Sequence, residues 1–163
     1  TPFYPCGGYS SSGGGDDVRV DIEIRGGISG GDMKGAMDKA IFATSEQALK
    51  DCNYFCKQDM GALILSSVIH SSVEAEMIGR HGIKTSDIPA KQLTQAMASQ
   101  GSDLEKGVLR WVMPYAEAAY KCPTTYTDKN TNAVPEWCQR AESDYGDQWQ
   151  AVFKRAHERE IHR

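Results

Sequence analysis

No apolar run in the 163-residue chain exceeds four residues, as in Ala62 to Leu65. A helix needs roughly 20 such residues to cross a bilayer, so no membrane span is expected. Concentrated positive charge is missing too. Lys and Arg number 18 against 22 Asp and Glu, for a net charge of −4. The richest basic stretch, Lys154, Arg155, Arg159 and Arg163, is interleaved with Glu158 and Glu160. Nucleic-acid binding draws on a cationic stripe that displaces counterions from phosphates, and this chain offers none. Several catalytic and metal motifs are absent: there is no HExxH, no CxxC and no EF-hand loop. No internal repeat is visible. The first residue is Thr1, with no methionine and no charged-then-apolar leader. That start is the one expected of an exported protein in its mature form.

Five cysteines stand out against this background: Cys6, Cys52, Cys56, Cys122 and Cys138. On a helix, the CxxxC spacing of Cys52 and Cys56 turns both to one face without bringing them into bonding geometry with each other. Each therefore looks outward for a partner. Cys122 and Cys138 end one expected helix and begin the next, so a bond between them would clamp a helical hairpin. Cys52 and Cys56 could equally be cross-linked to those two, leaving Cys6 over. Connectivity does not follow from spacing. The expectation is a disulfide-stabilised domain in the periplasm or extracellular space.

The chain organises into a Gly/Ser-rich arm over residues 1–16 and one helical domain over 17–163. Hydrophobic residues are 40% and charged residues 25%, as in ordinary globular proteins. The arm has too little apolar surface to offset its chain entropy. From Asp17 to Arg25 the residues alternate strictly, with Val18, Val20, Ile22 and Ile24 on one face and charges on the other. This predicts a strand. Asp32 is a candidate N-cap for a helix through Met37 and Ile41, and Thr44 to Gln47 has the form of a capping box opening the next. Further helices are expected from about Asp59 to Gly79, from Asp87 to Gly101, from Ser102 through Cys122 with a kink at Pro114, and from Pro135 to the end. The predicted fold is thus a mostly α, single-domain bundle of about five helices with one or two short N-terminal strands.

Candidate chemistry is sparse. His70 and Glu74 would share a helix face and supply two ligands to zinc, but no third converges, so no metal and no cofactor are expected. Cys52 and Cys56 with Met33, Met37 or Met60 form a soft donor set for copper(I), although methionines at this spacing are ordinary core residues. His157, Glu158 and His162 read as a solvated face. The segment Val18 to Met37 resembles a phosphate loop and the opening of Clp-type serine peptidases. Gly31-Asp32-Met33 lacks the Gly-Lys-Ser/Thr ending of the first, and the Ser-Pro-Gly-Gly turn of the second is absent. The strand carries the sharpest implication. Its backbone groups need a partner strand, supplied from within the chain, by a homodimer, or by another protein. Val18, Val20, Ile22 and Ile24 are the interface candidates. The function expected is an exported protein-binding module: an inhibitor, a toxin-immunity protein or an envelope adaptor. The competing expectation is a small secreted hydrolase using carboxylates from different helices.

Overall fold

A computed structural model describes residues 20–23, 34–99, 101–124 and 128–162. The arm, Cys6, Val18 and Ile24 lie outside the described residues. Two long helices frame the rest: α1 (Lys34–Tyr54) and α6 (Trp137–Ile161). On α1 the buried positions Ala40, Thr44, Ser45, Ala48, Leu49, Cys52 and Asn53 recur every three or four residues, which makes one continuous stripe. Most of these side chains are small, and α6 packs against them in the most extensive helix–helix contact of the fold. The two run antiparallel, since Lys39 Nζ reaches Glu160 Oε2 at 3.0 Å while Asp51 Oδ2 accepts Trp149 Nε1 at 2.6 Å. Thr44 and Ser45 do not open a new helix. Their hydroxyls are buried and donate to the carbonyls of Ala40 and Ile41 at 2.7 Å, so α1 continues through the expected capping box.

The single helix expected over residues 59–79 is two: α2 (Ala62–Val68) and α3 (Glu74–Arg80). Every residue of α2 is buried, and a short apolar run of this kind carries no periodicity to fix its length. A 3-10 turn (Thr85–Asp87) and α4 (Ala90–Ala98) follow. The larger correction comes next. Residues expected to be helical form strand β2 (Val108–Trp111), and only α5 (Ala116–Lys121) is helical before Cys122. Leu109 and Trp111 are completely buried while Val108 and Arg110 are half-buried, the alternation of a strand. The pairing partner is β1 (Val20–Glu23), antiparallel, with Val20 opposite Trp111 and Ile22 opposite Leu109. Of the partners open to this strand, the one found lies within the chain, and the second strand is internal rather than N-terminal.

Between α5 and α6 the chain folds back onto the end of α1. Asn130 Nδ2 donates to the carbonyls of Tyr54 and Cys56 at 2.9 and 2.8 Å, capping the last turn of α1. Asp128 Oδ1 accepts the amides of Gln58 and Asn130, and Lys57, fully buried, donates through Nζ to the Cys122 carbonyl. The helix after Pro135 begins at Trp137, because Glu136 takes a left-handed conformation (φ 53) with its amide on the Tyr120 carbonyl.

The fold is mostly helical, with six α-helices among the described residues, but the expectation of a disulfide-stabilised bundle is not met. Cys52, Cys56, Cys122 and Cys138 are all buried and all free. Packing and the loop bonds above, rather than a Cys122–Cys138 link, hold the α5–α6 connection. No helix among the described residues is long and apolar enough to cross a membrane.

Candidate functional site

The described surface is concave where α1, the turn after α2 and the turn before β2 meet. After Val68 the chain leaves the helix with Ile69 extended and His70 at φ 60. A left-handed histidine is uncommon and costs about 1 kcal/mol. Glu74 holds this turn from the other side, accepting the His70 amide through Oε2 at 3.1 Å. Gly101 then approaches so closely that a Cβ there would lie 2.7 Å from the Ile69 carbonyl oxygen. Its own φ of 62 also favours glycine. The contact is completed by the Ser102 amide on the Ser67 carbonyl and the Arg110 amide on Ser102 Oγ.

Two concavities result. One, of about 230 Å³, is lined by Phe42, by His70 to Ser72, by Gly101 to Glu105 and by Arg110. The other, of about 620 Å³, is broader and bounded by Asp38, Lys39, Phe42, Glu105 and Lys106. Phe42 and Glu105 line both, so the two open on one face as a groove with mixed charge and one aromatic ring. Asp103 is tied to its own turn: Oδ1 accepts the Lys106 amide at 3.3 Å and Oδ2 lies 3.8 Å from Lys106 Nζ.

The hairpin beside this groove has a defined polarity. The amides of Val108, Arg110 and Val112 bond to Asp103, Ser102 and Ser66, all on the side of β2 away from β1. In an antiparallel pair alternate residues face opposite edges, so Leu109 and Trp111 face β1 and are matched there by Ile22 and Val20. The backbone N–H and C=O groups of Asp21 and Glu23 consequently point to the outer edge of β1. Among the described residues no strand pairs with that edge.

No family model, curated protein or solved structure matches this chain. Its site is therefore read from its own geometry. The structure places His70 on a turn rather than on the expected helix face, and Glu74 accepts the His70 backbone amide, so these two weak candidate ligands do not share a helix face. Among the described residues no three of His, Cys, Asp and Glu converge on a point. Met60 takes a hydrogen bond from Lys129 Nζ. His157, expected on a wet face, is 5% exposed and stacked on Phe153. Cys52 and Cys138 both belong to the buried core, and burial first of all pushes the Cys52 and Cys56 thiols up in pKa. Of the interface candidates, Val20 and Ile22 lie in β1. Phe42, Glu105 and Lys106 were not singled out in the sequence, where each is an ordinary member of a helical pattern.

Proposed function

We propose that this chain is an exported protein-binding module, acting by contact as an inhibitor, immunity protein or adaptor, and that its partner adds an extended segment to the outer edge of β1. The observation that carries this reading is the outward row of backbone donors and acceptors at Asp21 and Glu23. A strand edge with which no other strand pairs is a template for a further strand, with the main chain supplying affinity and neighbouring pockets specificity. Export rests on the sequence alone, on five cysteines in an acidic chain, and draws no support from the four described ones, which form no disulfide. The hydrolase alternative draws less support, because Asp103, one of the two carboxylates in the smaller concavity, serves its own turn.

Proline separates the two edges of β1. At position 21 it removes a donor that points outward, which an edge strand tolerates. At position 20 it removes a donor that points at β2. The test starts with capture of the native partner by the wild-type chain and mass spectrometric identification. Affinity for that partner is then measured for wild type, Asp21→Pro and Glu23→Pro. Each proline is expected to weaken binding by about tenfold, the worth of one hydrogen bond, with thermal unfolding little changed. Val20→Pro should lower the unfolding midpoint instead. Full affinity in the Asp21→Pro/Glu23→Pro double variant would overturn the edge assignment, and catalytic turnover of a captured substrate would overturn the binding module itself.

A further inference from the structure

The two positions of β1 whose backbone groups face its outer edge are both acidic. Val20 and Ile22 stand opposite Trp111 and Leu109, the residues of β2 that face β1, so a strand joining the outer edge forms its bonded pairs with Asp21 and Glu23. Residues directly opposite one another share a sheet face, where opposite charges attract and like charges repel. In the β1–β2 register Asp21 stands opposite Arg110 and Glu23 opposite Val108, so only position 21 meets a cation there. This is also the wetter face of the hairpin. Val108 and Arg110 are half-buried, whereas Leu109 and Trp111 are completely buried. Helix α5 touches β1 as well, and its Glu117 and Lys121 pair with each other at 2.7 Å, which adds no net charge. We propose that the segment added to β1 is basic, an extended stretch of another protein with Lys or Arg at alternate positions opposite Asp21 and Glu23.

The basic partner presupposes the edge pairing proposed above and gives it a chemistry. A second copy of this chain is a poor occupant of the same edge. The two registers about a two-fold axis that overlap most of β1 place Asp21 opposite Asp21, or Asp21 opposite Glu23. Either sets acid against acid in a bonded pair. A segment with lysine or arginine at those positions gains two opposite-charge pairs instead, and an acidic segment meets two repulsions. Each pair is modest by itself. Together, the swing from two attractions to two repulsions separates a basic from an acidic segment by about tenfold or more, and the difference shrinks as salt screens it.

The test uses the full chain and two fluorescein-labelled synthetic peptides, one of alternating Val and Lys and one of alternating Val and Glu, followed by fluorescence anisotropy at low salt. The lysine peptide is expected to bind at least about tenfold tighter than the glutamate peptide. Glu23→Lys should remove most of that preference, and it leaves the hairpin undisturbed because Val108, not a charge, stands opposite. Thermal unfolding checks its fold, and Glu23→Gln, expected to lose part of the preference, serves if the lysine variant does not fold. The Asp21→Pro/Glu23→Pro double variant should release both peptides. Equal affinity of the wild type for the two peptides, both lost in the proline variant, overturns the basic partner and leaves the edge standing. Peptide affinity undiminished by the two prolines overturns the edge itself, with any lysine preference then due to the net charge of −4. Failure of both peptides to bind at millimolar chain also overturns the basic partner, and the captured native partner then judges the edge alone. A wild-type dimer in sedimentation equilibrium that the proline variant dissolves makes a second copy the occupant, and overturns the proposal.

Discussion

The two sides of α1 are built to different standards. Toward α6 and the 128–134 loop, the side chains are buried, and the carbonyls at the end of α1 are capped by Asn130. Trp137 sits edge-on to both Trp111 and Tyr120, with ring centroids 5.8 and 4.7 Å apart. Toward the 70–72 and 101–106 turns, α1 presents Phe42 and charges across open space, and the facing backbone holds a histidine in a left-handed conformation. Close packing gives one side its stability. The other retains strain and exposure that packing alone does not require, which is where binding is expected to reside.

Substitutions can sharpen or break this contrast. The largest effect belongs to Trp137→Ala on the packed side, which removes a fully buried indole at the meeting point of α1, β2 and α6. A loss of about 3–5 kcal/mol in urea unfolding is expected, with partner affinity in the surviving folded fraction unchanged. Gly101→Ala comes next. It forces a Cβ against Ile69 at a positive φ and should cost about 2 kcal/mol. Because the 70–72 turn must move to admit it, partner affinity should fall as well, and a drop in stability alone would detach the groove from function. The third effect has the opposite sign. His70→Gly relieves a left-handed backbone in an exposed residue, so stability should rise by about 0.5–1 kcal/mol in the same unfolding assay. If affinity rises with it, the histidine has no binding role.

The smallest effect is on pH dependence. Burial, with Arg80 adjacent, holds the His81 pKa below its ordinary value. The unfolded chain therefore takes up a proton that the folded one resists. Stability is greatest above about pH 6.5 and declines as pH falls from there toward the folded pKa. Unfolding midpoints for wild type and His81→Gln across that window should converge as pH drops, and parallel curves would remove His81 from the account.

Legibility in the sequence tracked how local the deciding interaction was. The last helix repeats every three or four residues and its own neighbours settle it, whereas α1 was read as two helices because Thr44 to Gln47 has the form of a capping box. β2 was read as helix because Val108, Trp111, Val112 and Tyr115 satisfy helical spacing as well as strand alternation. What decides between the two is β1, far away in the chain, a choice that no local pattern contains. The break between α2 and α3 hid behind Ser71 and Ser72, whose hydroxyls bond to Val68 and Glu46 only once the turn exists. In the candidate site, β1 was legible from its alternation. The groove was not, because Phe42, Glu105 and Lys106 acquire a common purpose only when two separate turns are brought against α1.

The antiparallel seating of α6 on α1 also dictates an order of events. Ala40, Ala48, Leu49 and Cys52 can be covered only by α6, which follows α2 to α5 in the chain, and β1 can find its neighbour only after α1 to α4 have followed it. A chain emerging from a ribosome or a translocation pore therefore carries an uncovered apolar stripe until α6 has been made. Contacts this distant in sequence slow folding and leave surfaces open to aggregation. Truncation just before Trp137 should thus yield a chain held by chaperones rather than a smaller folded domain, and docking of the 25-residue α6 is the step that commits α1 to its native packing.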